Sequence, residues 1–248
     1  MHFNQKTLKL IAMITMFIDH TAVCFYYQLS YNTYTIMRGI GRLTFPIYIF
    51  LAIEAAMYTH SKKNYLLRLL LLACLAEVPF DLALFHTSYY HAYQNVIFTI
   101  LFGVCACMSF TKAIESWHSS HITSIVCFVL TAVCLYLPEL FQTDYGPAGA
   151  IAIFVGYLIK RYAKISNIQV KNVLTFAAAA VVLVLNDKAP EAMSLFTPVF
   201  AIPYNEKKGK LSAPEKWIYR LYYPAHLLLI WIIYYFTVYV NMPHASIG

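Results

Sequence analysis

Apolar runs recur along the whole chain, each closed by a short polar segment. Crossing a bilayer takes about 20 mostly apolar residues in a helix. The pattern predicts helices over residues 8–28, 43–59, 65–85, 95–115, 122–138, 147–161, 171–186, 192–203 and 217–240. The eighth is short and carries Pro198 and Pro203, so it reads either as a weak crossing or as a re-entrant segment. The sixth and seventh are the plainest and read as lipid-facing or scaffold segments. No internal repeat and no soluble stretch interrupts the series. The expected fold class is therefore all-α, a polytopic membrane bundle of about nine transmembrane helices in a single domain over residues 1–248.

Composition supports this. Hydrophobic residues make up 60% of the 248 residues and charged residues only 12%, against about 25% charged in a soluble domain. The net charge of +7 is then a matter of topology, not of nucleic-acid binding, because excess Lys and Arg mark cytoplasmic loops. With the N-terminus inside, Lys6, Lys9, Lys62, Lys63, Arg68, Lys112, Lys160, Arg161, Lys164, Lys171, Lys207, Lys208, Lys210, Lys216 and Arg220 fall on the cytoplasmic side. That is 15 of the 18 Lys and Arg residues, leaving Arg38, Arg42 and Lys188 outside. This split expects nine crossings, a cytoplasmic N-terminus and an external C-terminus. The first apolar run is followed by no small-residue cleavage site, so it is expected to stay in the mature protein. Three outer loops are expected: a polar, Tyr-rich Gln28–Thr35, an aromatic His86–Tyr93 and an acidic Glu139–Gly146. They suit a polar or carbohydrate-like acceptor. The six cysteines have no metal or redox spacing and read as small apolar helix residues.

Polar residues inside the apolar runs carry the chemistry. A charged side chain near the bilayer centre costs at least about 2.5–3.5 kcal/mol, so Asp19-His20 in the first run needs a functional reason. At about 1.5 Å per residue, His20 lies roughly 18 Å into the first helix and Glu54 roughly 16 Å into the second. Glu77 lies roughly 18 Å into the third and His226 roughly 14 Å into the last. Similar depth on four helices predicts one shared buried site. Asp19 and His20 diverge by about 100° on a helix, so Asp19 is expected to pair with Arg42 or His226, and His20 with Glu54 or Glu77. Pro46 fits the first turn of the second helix, and Pro79 predicts a kink beside Glu77 and Asp81. Three chemistries fit such a site: acyl transfer with a His base, metal-assisted hydrolysis, and proton-coupled transport through an Asp/Glu/His relay. No His-x3-His or similar spacing backs a metal, and none is expected.

Seven segments in order then resemble a known family: MITMFIDH, GIGRLTFPIYIFLAIEA, YLLRLLLLACLAEVPFD, QNVIFTILFG, DYGPAG, PYNEKKG and KWIYRLYYPAHLLLI. Together they look like the TraX family, whose founding activity is N-terminal acetylation of conjugative pilin. Two places depart from the family pattern: Ala55 stands where glycine is favoured, and TPVFAIPYNEKKGK is drifted. The resemblance implies an acetyltransferase of the bacterial cytoplasmic membrane. It would take acetyl from cytoplasmic acetyl-CoA and pass it to a peptide N-terminus, glycan or small molecule at or across the membrane. His20 is the expected general base, Asp19 and Arg42 shape the outer part of the site, His226 and Glu77 complete it, and Glu54 orients or balances charge. Arg68, Lys207 and Lys208 are expected at the CoA phosphates. Asp81, Asn95, Asp144, Tyr145, Tyr204, Asn205 and Tyr223 are further motif positions expected to bind substrate or cofactor.

Overall fold

A computed structural model describes residues 3–187 and 191–241. Helices α1 (Gln5–Cys24), α2 (Tyr31–Gly41), α3 (Thr44–Tyr58), α4 (Lys62–Phe85) and α5 (Val96–Ser116) come first. Then follow α6 (His121–Leu140), α7 (Gly146–Tyr162), α8 (Ile168–Asn186), a 3-10 segment over Glu191–Ala201, and α9 (Ala213–Tyr234). A π-turn over Tyr235–Tyr239 extends α9. No β-strand forms among the described residues. Six stretches are long and apolar enough to cross a membrane: α1, α2 with α3, α5, α6, α8, and α9 with its extension. The fold is an all-α membrane bundle.

Local sequence sets the boundaries. Asn4, Ser30, Ser61, Asn95, Ser120, Asn167 and Ser212 each accept a backbone N–H from the first turn of the helix that follows. Such caps each contribute about 1 kcal/mol. At α9 the cap is reciprocal, Glu215 reaching back to the Ser212 backbone. Proline explains one boundary inside a span. Pro46 has no N–H for the carbonyl four residues back, and α2 gives way to α3 at Arg42-Leu43.

That boundary corrects the second predicted span. Residues 31–58 form one stretch of 28 residues, so Tyr31–Thr35 is helix and not loop. Glu54 is displaced accordingly towards the far end of the span. The third predicted helix continues unbroken through Pro79. The eighth segment runs from Glu191, which pairs with Arg42, to Pro203, whose carbonyl accepts the Phe3 N–H at 2.7 Å. It therefore connects mid-bundle to the end that holds the N-terminus, in 3-10 conformation. Lys188 lies outside the described residues.

The helices pair as α1 on α2, α4 on α9, α5 on α6 and α7 on α8, with α3 between α1, α5, α7 and α8. Phe45, Ile49, Ile53, Val104, Ile153 and Leu183 fill the largest core cluster. In a membrane close packing replaces the hydrophobic drive, and Gly156 of α7 lets α3 approach. A Cβ there would stand 2.8 Å from Ile53 Cδ1. Helix α6 turns one side to lipid, with Ile122, Ile125, Val126, Val129 and Val133 exposed. The plain α7 takes the scaffold role of the two expected for it, with Ala152, Ile153 and Tyr157 buried in the core.

Candidate functional site

A cavity of about 450 Å³ lies between α1, α3, α4, α5 and α9. Lys9, Tyr65, Tyr219 and Arg220 line one end, the end of the bundle that holds the N-terminus. Asp19, Arg38, Arg42, Tyr93, Asp144 and Tyr145 line the other. His20, next to Asp19 on α1, also lines the cavity, whose wall includes the apolar Phe45, Leu69 and Leu72.

His20 is buried, and its Nδ1 lies 2.7 Å from Nε2 of His226. The two rings are nearly parallel, at 13°. Nδ1 of His226 lies 2.8 Å from the Tyr222 carbonyl. A carbonyl only accepts, so this nitrogen carries its proton. With both rings neutral, Nε2 of His226 is then an acceptor, and His20 Nδ1–H donates to it. The remaining lone pair of His20 is on Nε2. That atom has no hydrogen-bond partner among the described residues and is not sealed off. The hydrogen-bond chain thus fixes the tautomer of His20 and leaves a bare basic nitrogen on the cavity. His226 is absent from the cavity wall and stands behind His20.

Asp19 points elsewhere, as the 100° divergence requires. It accepts from Arg38 at 2.8 Å and from Arg42 at 3.0 Å and 3.1 Å. Arg42 also donates to Glu191 at 2.6 Å. Gly41 makes this approach feasible, since a Cβ there would sit 2.0 Å from Asp19 Oδ1. The Arg42 guanidinium lies 5.6 Å from the Tyr145 ring, which stacks on Phe45 at 4.0 Å. Beside this group a second cavity of about 410 Å³ is lined by Glu139, Asp144, Asp187 and Glu191 together with Arg38 and Arg42. Asp144 accepts from the Tyr93 hydroxyl at 2.9 Å. Burial holds its carboxyl above the usual range, against the opposing pull of Arg42.

The other predicted partners are elsewhere. Glu54 does not meet His20. It accepts from Gln5 at 2.7 Å and Tyr204 at 2.6 Å, with Lys160 at 3.9 Å. Buried Lys160 also reaches Glu206 at 2.5 Å and bonds Asn172. This network ties α1, α3, α7, α8 and the Tyr204–Glu206 segment together. Glu77 does not meet His20 either. It bonds Asn95, which also caps α5 and donates to the Ala73 carbonyl at 2.9 Å. Asp81 accepts the Tyr90 N–H at 2.8 Å and staples the loop before α5. Neither Glu54, Glu77, Asp81, Asn95, Tyr204 nor Asn205 lines the cavity, and Arg68, Lys207 and Lys208 also stand off its wall. Asp19, His20, Arg42, Asp144, Tyr145 and Tyr223 do line it. The predicted four-helix convergence reduces to His20 with His226. Length misplaced Glu54, because the second span begins twelve residues earlier than its apolar run. Arg38, Glu191 and Lys160 were missed as site partners. All are charged residues at or beyond the edges of apolar runs, where sequence reads Arg38 and Lys160 as topology markers and gives Glu191 no role.

Comparison with known proteins bears on what this site does. A family model described as TraX protein matches residues 4–234. The chain belongs to the TraX family. A probable fimbrial assembly protein FimC, serogroup H1, of Dichelobacter nodosus is 27% identical over 249 residues, covering 92% of this chain and 94% of that protein. An uncharacterized protein of Rickettsia prowazekii (strain Madrid E) is 27% identical over 154 residues, covering 62% of this chain and 55% of that protein. No solved structure matches this TraX-family chain.

Proposed function

We propose that this TraX-family membrane protein is an acetyltransferase of the bacterial cytoplasmic membrane. It moves acetyl from acetyl-CoA to an amine or hydroxyl of an acceptor peptide, glycan or small molecule. One observation carries this reading: a single cavity holds Lys9 and Arg220 at one end and, at the other, acidic and basic groups beside the bare Nε2 of His20. The concentration of Lys and Arg at the N-terminal end argues that this end faces the cytoplasm.

His20 Nε2 is placed to take the proton of the acceptor as its nitrogen or oxygen bonds to the acetyl carbon. The thioester C–S bond breaks, and the proton leaves with the thiol of CoA. His226 holds the tautomer that makes Nε2 a base. As His20 becomes cationic, the same chain through His226 to the Tyr222 carbonyl shares its charge. Asp19, Arg38, Arg42 and Glu191 form a cross-linked ion cluster that shapes the acceptor end. The apolar middle of the cavity keeps water from the thioester, which would otherwise hydrolyse.

Purified protein given labelled acetyl-CoA and a small amine or an acceptor peptide is expected to transfer label. His20→Ala should lower transfer by about 10²–10⁴-fold, the usual contribution of a positioned base, with the protein's thermal unfolding little changed. Full transfer by that variant would remove His20 from the chemistry. Uptake of a small molecule into vesicles with no dependence on acetyl-CoA would replace the reading with transport.

A further inference from the structure

Three cations at the N-terminal end of the bundle are paired with carboxylates. Lys6 pairs with Glu215 at 2.5 Å, Lys160 with Glu206 at 2.5 Å, and Arg161 with Glu115 at 3.6 Å. Lys9 and Arg220 are set apart by their place on the cavity wall. Both line the large cavity, and neither has a carboxylate partner among the described residues. Each leans on an aromatic ring instead: Lys9 over Tyr219 at 6.0 Å and Arg220 over Trp217 at 5.3 Å. No acid lines this half of the cavity, for the two lining acids, Asp19 and Asp144, stand at the far end. The wall between is aromatic and aliphatic, with Tyr65, Leu69 and Ala55. Two cations with no carboxylate in ion-pair contact among the described residues, at the mouth of an apolar passage, form a site for a doubly charged anion with an uncharged tail.

The spacing identifies the tail. Lys9 and His20 are eleven positions apart on α1, roughly 16 Å along the axis at about 1.5 Å per residue. Arg220 precedes His226 by six positions, roughly 9 Å. Helical side chains lean towards the helix N-terminus on cations and histidines alike, so these axial separations carry over to the side chains, with the long Lys and Arg stems adding reach. In CoA, thirteen bonds separate the sulfur from the first phosphorus. At about 1.2 Å per extended backbone bond that arm spans roughly 15 Å. A thioester beside His20 Nε2 therefore brings a diphosphate to the level of Lys9 and Arg220.

We infer that Lys9 and Arg220 form the diphosphate subsite of the donor, in place of Arg68 of α4 and the loop cations Lys207 and Lys208. Lys208 acts on Lys9 only through its charge. This rests on acetyl-CoA being the donor, and the experiment separates the two claims.

The full-length protein in phosphatidylcholine nanodiscs is titrated with acetyl-CoA and with S-acetyl-pantetheine, which has the arm without phosphates. The wild type should bind acetyl-CoA at least tenfold more tightly. Lys9→Gln and Arg220→Gln should each erase most of that difference while leaving S-acetyl-pantetheine affinity unchanged. Lys9→Arg and Arg220→Lys should retain it, which guards against misfolding as the cause. Lys62→Gln with Lys63→Gln, at the same end but off the cavity, should bind as wild type. If Lys9→Gln and Arg220→Gln bind acetyl-CoA normally, the subsite is wrong; a loss in Arg68→Gln or Lys207→Gln instead would put the phosphates on the first turns of α4 or on the loop before α9. If the two variants alter only retention of anionic lipid, the cations serve lipid headgroups and the assignment fails. If the wild type binds neither ligand, acetyl-CoA is not the donor and both claims fall.

Discussion

At the scale of single residues, the chemistry depends on which nitrogen of His20 is free. The answer comes from a neighbour that never reaches the cavity. His226 is fixed by a backbone carbonyl, and its Nε2 accepts from His20 Nδ1 at 2.7 Å. Replacing His226 with Phe removes that acceptor and lets His20 take either tautomer or turn. A loss of about 10²-fold in kcat with little change in the KM for acetyl-CoA is expected, together with an altered pH–rate profile. His226→Gln, whose amide oxygen can still accept, should restore part of the rate. Equal losses in both variants with an unchanged pH profile would make His226 a packing residue only.

At the scale of elements, glycine and the Pro46 break decide how α2 meets α1. Asp19 reaches two arginines of α2 because Gly41 presents no side chain. Gly41→Ala must push Asp19 out of its cluster or separate the helices. Unpairing a buried charge costs about 3–5 kcal/mol, so a large drop in thermal unfolding temperature in detergent is expected. An unchanged temperature would mean that the ion cluster tolerates rearrangement. The junction of α4 and α5 offers a second measurement. Asn95 caps α5, bonds Glu77 and holds the Ala73 carbonyl. Asn95→Ala removes a cap worth about 1 kcal/mol and orphans a half-buried carboxylate. The cost should exceed the cap alone, and combining it with Glu77→Gln should recover part of it.

At the scale of the whole molecule, orientation is the property that function requires. The Lys160 network with Glu54, Glu206, Asn172, Tyr204 and Gln5 clamps the N-terminal end. The loops joining α4 to α5 and α6 to α7 meet at the other end through Gln94 and Thr143. If the N-terminal end is cytoplasmic, Ser88→Cys should react with a membrane-impermeant maleimide in intact cells. Lys63→Cys should react only after permeabilisation. The reverse pattern would turn the protein over and put the donor site on the wrong side for CoA.

The sequence by itself determined that the chain is an all-α membrane bundle, where its polar residues interrupt apolar runs, and which family its motifs resemble. Those properties are local: apolar runs, caps and prolines act within a turn or two of the residues that cause them. It also separated Asp19 from His20, because helical periodicity alone puts adjacent residues on different faces. Only the tertiary structure decided the partners. Depth along a helix constrains one coordinate, and contact needs three, so four groups predicted at similar depth divided among three separate networks. Glu54 joined the clamp, Glu77 joined the α5 cap, and His20 met His226 alone. The second span shows the same limit at the level of elements. Its first eleven residues are too polar to read as membrane, yet packing of α2 against α1 buries Gly39 and Gly41 and brings Arg38 and Arg42 to Asp19. Charges that the pattern assigns to loops were drawn inside because the folded chain supplies opposite charges there.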